Sequence, residues 1–196
     1  MDETISRPPV ILASGSAYRK LLLDRLNLKH TVQVPQIDES RLPKESPEEL
    51  VLRLARQKAA VVSEAHPGAV VIGSDQLVTI DGDVLGKPVT FEAAKAQLMR
   101  LQGRTHKLLT AVTIMQEGRH DSHLEVHQLT MRELSIESIA RYLVRDQPLD
   151  SAGAYKIEGL GVSLFTTIEC NDPVAIMGLP MIGLTTPLNK WGSSVP

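Results

Sequence analysis

The stretch Ala69-Val70-Val71-Ile72-Gly73-Ser74-Asp75-Gln76 decides the fold, because a short apolar run bounded by turn residues is typical of a buried strand. A carboxylate, Asp75, comes just after the apolar part of this run. Open α/β sheets hold their ligand sites beyond the carboxyl ends of strands, which is where Asp75 is expected to lie. Two interpretations are open at this point: a turn aspartate and a functional acid.

Strand and helix patterns alternate on both sides of this stretch. Residues 10–13 are predicted to form a short buried strand and residues 17–27 a helix, and a capped helix is predicted to start at Ser46 and end near Ala65. The remaining predicted elements are a hairpin over 77–85, helices over 91–102 and 136–145, strands over 105–116, 121–133 and 162–168, and a last helical region after 171–173. Consecutive hairpins interrupt the alternation, so the sequence predicts an α/β fold with a mixed sheet, in one domain over residues 1–196.

Composition narrows the classes of function. A chain of 196 residues can bury a sizeable core, and a net charge of −2 creates no global field for nucleic acid or an anionic membrane. The single Cys170 excludes an internal disulfide and fits a reducing compartment. Residues 1–7 are polar, unlike a signal peptide, and no apolar run approaches a membrane span. We therefore expect a cytoplasmic protein with no nucleic-acid or membrane partner.

The turn at residues 14–20 has the chemistry of a phosphate site. A helix N-terminus presents unpaired N–H groups and positive partial charge. Around it stand hydroxyl, guanidinium and ammonium groups from Ser14, Ser16, Arg19 and Lys20. The spacing is not that of a P-loop, and an ordinary capped helix with basic residues in its first turn is the alternative.

Lys58 stands at an unusual position in its predicted helix. At about 100° per residue, it falls at the centre of an apolar stripe. That stripe consists of Val51, Leu54, Ala55 and Val62. A lysine there must snorkel to water, pair with an acid or point into a cleft.

A loop lysine and two acids complete the candidate groups. Lys87 lies between a flexible and a rigid residue in Gly86-Lys87-Pro88, and a solvated loop lysine is the alternative there. Asp38 and Glu39 follow a proline-bounded strand. Hard divalent cations prefer such carboxylate oxygens, although acidic turns are also common.

Three histidines, His120, His123 and His127, resemble a metal-binding pattern at first sight. Their segment alternates like a strand, however, and on a strand His123 and His127 would lie about 13 Å apart, at roughly 3.3 Å per residue. They could not bind one ion together. We expect them on a polar face of the sheet.

Seven segments of the chain can be read as one ordered set: Leu12-Ala13-Ser14-Gly15-Ser16-Ala17-Tyr18-Arg19-Lys20, Asp38-Glu39, Lys58, Gly73-Ser74-Asp75-Gln76, Gly86-Lys87-Pro88, Ala152-Gly153-Ala154-Tyr155 and Gly178-Leu179-Pro180. In this order they resemble the Maf family of nucleoside triphosphate pyrophosphatases. The similarity spans residues 12–180. Each segment alone is weak evidence for the family, whereas the whole set in this order is specific to it.

The resemblance implies an α/β fold with an elongated mixed sheet flanked by helices and two lobes around a cleft, similar to the inosine triphosphatase fold. It also implies hydrolysis between the α and β phosphates of a nucleotide, which releases a nucleoside monophosphate and pyrophosphate. Mg²⁺ or Mn²⁺ would be the cofactor, and a homodimer is common in the family.

The family's site residues can be carried over to matching positions. By resemblance, Asp75 is the general base, and Glu39 and Asp75 hold the metal. The residues that would bind the triphosphate are Ser16, Arg19, Lys58 and Lys87. The first motif departs from the usual Ser-Pro-Arg-Arg, because Ser16-Ala17-Tyr18-Arg19 lacks the proline and has an aromatic residue in place of the first arginine.

Three further positions, Tyr18, Gln76 and Glu158, bear on the substrate. The branch that acts on dTTP and UTP typically has arginine, threonine and glutamine there, and this chain instead resembles the branch that hydrolyses 7-methyl-GTP. An aromatic face attracts the positive charge of N7-methylguanine. A carboxylate can accept hydrogen bonds from the guanine N1–H and amino group. The alternatives are an ordinary surface tyrosine and an ordinary loop acid.

Other functions compete with 7-methyl-GTP hydrolysis, whose purpose would be to limit the incorporation of modified nucleotides. One is hydrolysis of dTTP or UTP by the same mechanism. Another is a nucleotide-binding regulator of septum formation, which would act by partner contact. A third is a nucleotidyltransferase, which would need a second substrate.

Overall fold

The structure, a computed structural model, describes residues 8–192 and Val195. The expectation about residues 1–7 therefore lies outside the described residues. Those described form one seven-stranded mixed sheet in the order β2-β1-β3-β5-β6-β7, with β4 paired to β3. The strands are β1 (Val10–Ala13), β2 (His30–Val32), β3 (Val70–Ile80), β4 (Asp83–Leu85), β5 (Thr105–Gln116), β6 (Arg119–Met131) and β7 (Phe165–Glu169). The helices are α1 (Ala17–Asp24), α2 (Pro47–Ala65), α3 (Phe91–Leu101), α4 (Ile136–Asp146) and α5 (Met181–Lys190).

One edge of β3 contains a gap between two strand partners. β1 pairs with this edge in parallel as far as Gly73, and β4 pairs with it from Val78 onward. Residues 74–77 lie between these two partners, while β5 pairs along the opposite edge. The gap opens a cleft at the middle of β3, where Asp75 lies.

Two hydrophobic cores lie on one face of the sheet, on either side of this gap. Val70 and Ile72 of β3 pack with α1 and α5. Val78 and Ile80 pack with α3 and α4. Because side chains alternate along a strand, Ser74 and Gln76 share this face and form its polar middle. The expected elongated mixed sheet with two lobes around a cleft is confirmed.

Helix α2 covers the opposite face. It begins with a capping box, in which the Ser46 hydroxyl accepts from the Glu49 N–H and the Glu49 carboxylate accepts from Ser46. The apolar stripe predicted from the sequence is buried against β3 and β5. Contact is closest at Gly73, where a Cβ would lie 2.3 Å from the Ala55 carbonyl oxygen. The glycine thus lets helix and strand backbones approach each other directly.

Some predicted boundaries were wrong. Asp75 lies inside β3 rather than after it, because β5 pairs continuously with residues 71–79 and carries the strand through Ser74. Helix α1 ends at Asp24, and Asn27 adopts a left-handed φ of 51°. Strand β7 begins at Phe165, because Leu160–Leu164 forms a 3₁₀ helix. Within residues 8–192 and 195, no helix has the length and apolar character needed to cross a membrane.

Candidate active site

Lys58 and Asp75 meet at the floor of the cleft. The Lys58 ammonium lies 2.7 Å from an Asp75 carboxylate oxygen and 2.7 Å from a Glu39 carboxylate oxygen. The Lys58 and Asp75 side chains are 11 % and 12 % exposed, whereas the Glu39 side chain is 60 % exposed. The lysine in the apolar stripe is therefore explained by pairing with two acids, one from the adjacent strand and one from a loop.

The loop between β2 and α2 carries Glu39 and is tied to α2 by Arg53. The Arg53 guanidinium donates to the Ser40 carbonyl at 2.9 Å and pairs with Glu45 at 2.6 Å. This pairing lowers the pKa of Glu45 to about 2. Asp38 instead accepts the Ser40 N–H at 2.9 Å. Of the two predicted acids, Glu39 alone is seen to contact Lys58.

Arg19 is held from three sides on the first turn of α1. Its Nε donates to the Gly178 carbonyl at 2.8 Å, and one terminal nitrogen donates to the Ser74 carbonyl at 2.9 Å and the Ser14 hydroxyl at 3.0 Å. Burial lowers the pKa of Arg19, while the charges of Asp75 and Glu39 raise it. The second terminal nitrogen makes no hydrogen bond to any residue the structure describes and is available to a ligand.

Ser16 caps the same helix, as predicted. Its hydroxyl oxygen accepts from the Arg19 N–H at 3.4 Å, and its own N–H donates to the Ser14 hydroxyl at 3.2 Å. The first N–H groups of a helix such as α1 have no partner within the helix. A helix N-terminus and a guanidinium thus lie side by side, an arrangement that suits a phosphate.

Tyr18 and Glu158 lie together near the start of α1. Partial burial raises the pKa of Tyr18, and the nearby Glu158 carboxylate raises it further. Lys156 stands beside them, paired with Asp150 at 2.9 Å. The structure therefore brings together two of the three predicted specificity residues, Tyr18 and Glu158, which are far apart in the sequence.

The other two predicted site residues are placed differently. Gln76 directs its amide nitrogen to the Thr110 hydroxyl at 2.9 Å and to the Ile176 carbonyl at 3.1 Å, so this nitrogen is already engaged by protein. Lys87 is exposed on the loop after β4 and forms no ion pair within the described residues. The Lys156 ammonium lowers the pKa of Asp150, and the Lys87 charge adds to this effect. Lys87 thus lies on the Tyr18 side of the cleft.

The histidine prediction was only partly right. The segment is a strand, and His120 is exposed, but His127 is fully buried, so the expectation of a polar face was wrong there. Its alternation with buried Leu129 and Met131 was the signal that could have shown this. Among residues 8–192 and 195, no group of three or more His, Cys, Asp or Glu side chains is placed to hold a metal ion.

A divalent cation nevertheless fits two of the acids. Asp75 and Glu39 direct oxygens at one shared cationic group, the Lys58 ammonium. Mg²⁺ is commonly held by one or two carboxylates together with substrate phosphates and water. The donor set therefore suits a cation that arrives with a nucleotide.

The sequence profile of the Maf family, described as Maf-like protein, matches residues 9–191. The chain belongs to the Maf family. A protein of Ralstonia nicotianae named 7-methyl-GTP pyrophosphatase is 48% identical over 186 residues, which cover 94% of this chain and 96% of that protein. Proteins with the same name from Pseudomonas putida and Xanthomonas axonopodis pv. citri are 46% and 45% identical; the matches cover 96% of this chain and 99% and 100% of those proteins. The predicted family is confirmed.

Proposed function

We propose that this Maf-family chain is a nucleoside triphosphate pyrophosphatase that hydrolyses 7-methyl-GTP to 7-methyl-GMP and pyrophosphate. The observation that carries the proposal is the buried Lys58, held between Asp75 and Glu39 at 2.7 Å from each, with Arg19 in the same cleft. Two cationic side chains and two carboxylates therefore lie close together in the cleft. The shared name of the relatives supports the substrate.

The phosphate chain would be bound along the cationic side of the cleft. A triphosphate brings several negative charges, which must be neutralised before water can approach the α-phosphorus. Arg19 offers its free terminal nitrogen, and Ser16 lies at the adjacent helix N-terminus. Lys58 can turn from its acids to a phosphate oxygen, and Lys87, exposed on the loop after β4, would supply a further cation for the phosphates.

Asp75 would act as the general base. Its carboxylate takes a proton from water, the water oxygen bonds to the α-phosphorus, and the bond from that phosphorus to the bridging oxygen breaks so that pyrophosphate leaves. Before a phosphate is bound, the Lys58 ammonium holds the Asp75 carboxylate in its orientation. Mg²⁺ or Mn²⁺ held by Glu39 and Asp75 would supply further neutralisation of phosphate charge.

The nucleobase of the substrate would be recognised beside Tyr18. The Tyr18 ring lies next to the Glu158 carboxylate, so a cationic N7-methylguanine would meet an aromatic face and a negative charge together. Glu158 can accept from the guanine N1–H and amino group. Gln76 would contribute through its amide oxygen, because its nitrogen is engaged. A cytoplasmic location and a homodimer belong to the same proposal.

The test is pyrophosphate release from 7-methyl-GTP, GTP, dTTP, UTP and CTP with Mg²⁺ or Mn²⁺. We expect selective release from 7-methyl-GTP, and Asp75→Asn should lower kcat by about 10²–10⁴-fold with little change in KM. Glu158→Gln should reduce the preference for 7-methyl-GTP over UTP, because the amide nitrogen can donate to uracil oxygens. Preference of the wild type for dTTP or UTP would refute the assignment of 7-methyl-GTP as the substrate. An equal loss of kcat and of substrate binding in Asp75→Asn would refute the assignment of Asp75 as the general base.

A further inference from the structure

Residues 171–178 form a strap across the polar middle of the sheet. The strap follows β7 and ends just before α5. It runs over the face that carries Ser74 and Gln76, between the two hydrophobic cores. Its contacts with the sheet come from polar side chains of two different strands, β6 and β3, which are separated by β5.

The first half of the strap is fixed by β6. The Glu125 carboxylate accepts the Asn171 and Asp172 N–H groups at 2.8 and 3.1 Å. His127 Nε2 donates to the Asp172 carbonyl at 3.1 Å. Glu125 is 3 % exposed and His127 is fully buried, so both side chains form hydrogen bonds with the strap rather than with water.

Asp172 organises the strap itself. One of its carboxylate oxygens accepts the Val174 and Ala175 N–H groups at 3.0 and 3.2 Å. The other accepts the Ile182 N–H at 2.8 Å, in the first turn of α5. The buried carboxylate therefore holds the strap and the following helix in one geometry.

The second half of the strap ends at Gly178, which contacts Arg19 of the candidate active site. Gln76 Nε2 donates to the Ile176 carbonyl, and the Gly178 carbonyl lies 2.9 Å from the Ser74 hydroxyl and 2.8 Å from Arg19 Nε. Gly178 adopts a φ of +108°, and a Cβ there would lie 3.4 Å from Arg19 Nε. The Gly178 carbonyl is thus one of the three groups that fix the direction of the Arg19 guanidinium, and the one that belongs to the strap.

His127 has little reason to be buried other than the strap. A neutral imidazole that donates through Nε2 accepts through Nδ1, and His127 Nδ1 has no partner among the described residues. An unsatisfied buried acceptor is destabilising. Within the described residues, the bond to the Asp172 carbonyl is the hydrogen bond that this side chain makes.

We propose that His127 is a positioning residue for the reaction, which acts through the strap to hold Arg19 in the orientation that receives a phosphate. This rests on the proposed function in one respect, the assignment of Arg19 as a phosphate ligand. His127 does not touch the substrate. Loosening the strap at β6 is expected to free the Gly178 carbonyl and, with it, the Arg19 side chain.

The first test needs no substrate. Arg19 Nε–H gives its own signal in a ¹⁵N-resolved NMR spectrum, and the Gly178 bond should slow its exchange with water. We expect His127→Leu to broaden or remove this signal, and His127→Gln, whose amide nitrogen can replace Nε2, to restore it. His106→Leu is the matched control, because His106 is also a buried histidine, bonded to Tyr155 and not to the strap. An unchanged Arg19 signal in folded His127→Leu would overturn the proposal.

The second test is a kinetic cycle with Arg19→Ala. We expect His127→Leu to lower kcat/KM by about five- to tenfold, equally for 7-methyl-GTP and GTP, and to have almost no further effect in Arg19→Ala. Additive losses in the cycle would refute the coupling. If His127→Leu does not fold, Asp172→Asn loosens the same strap and takes its place. If the wild type cleaves no nucleotide, the proposed function fails while the NMR result still decides the role of His127.

Discussion

Gly73→Ala tests whether the contact between α2 and β3 positions the reacting groups. The new Cβ would lie 2.3 Å from the Ala55 carbonyl oxygen, 2.6 Å from the Ala59 nitrogen and 2.9 Å from the Ala59 Cβ. Ordinary contacts begin at 3.4 Å, so the helix must move away by about 1 Å. No flexible side-chain end can absorb the clash, because two of the three atoms belong to the backbone of α2.

The movement occurs on either side of Lys58, which lies between Ala55 and Ala59. Overpacking of this kind costs about 2–3 kcal/mol, which for a chain of this size lowers Tm by about 5–10 °C. A 1 Å displacement would also lengthen the 2.7 Å contact between Lys58 and Asp75. We expect kcat to fall by about 10- to 100-fold, because misplacement on this scale disturbs catalytic geometry.

The assay combines thermal unfolding with pyrophosphate release at saturating 7-methyl-GTP. Gly86→Ala is the control for stability, because nothing lies within 4 Å of a Cβ at Gly86 and its φ is not left-handed. That variant should unfold within about 1 °C of the wild type, as unstrained surface substitutions usually do. If Gly73→Ala has the Tm and kcat of the wild type, the idea that close helix–strand contact sets the Lys58 geometry is wrong.

Two further predictions concern buried ionisable groups. Lys58→Met leaves the Asp75 carboxylate without its cation, so the free energy of unfolding should fall by about 3 kcal/mol in chemical denaturation, and Lys58→Met/Asp75→Asn should recover part of the loss. Equal stability of the single and double variants would contradict this. Burial lowers the pKa of His106 to about 4. The unfolded chain therefore binds more protons as pH falls from about 6.5 to about 4, and stability should drop by up to about 3 kcal/mol across that window. His106→Leu should flatten this pH dependence, and an unchanged slope would show that another group is responsible.

Local signals in the sequence predicted much of the site. The capping box at Ser46 and the cap at Ser16 predicted the starts of α2 and α1 correctly, since both depend on neighbouring residues alone. Lys58 was recognised because it interrupts an apolar stripe, and periodicity is also local. The sequence could not tell snorkelling from pairing, because the partner acids come from β3 and from a distant loop.

Features that depend on pairing between distant segments were missed. Gly73-Ser74 suggested the end of a strand, yet β5 continues the ladder through it. Gln76 was assigned to the substrate by resemblance, while its contact with the strap comes from residues about 100 positions away. The alternation of His127 with Leu129 and Met131 could have shown that it is buried, but its partner, the Asp172 carbonyl, is a backbone atom that no sequence pattern reveals.

The alternation of β3 explains how one strand can serve two tasks at the cleft. Asp75 points to the α2 face, where Lys58 meets it, while Ser74 and Gln76 point to the opposite face, where they hold the strap. The Ser74 carbonyl lies on the strand edge between these faces and accepts a hydrogen bond from Arg19. The Arg19 guanidinium is therefore bound to the residue that precedes Asp75 in β3. A register shift of one residue in β3 would exchange the two faces and place an unpaired carboxylate under the strap. The nine-residue pairing with β5 prevents that shift, which makes the continuity of β3 through Ser74 a condition for the site itself.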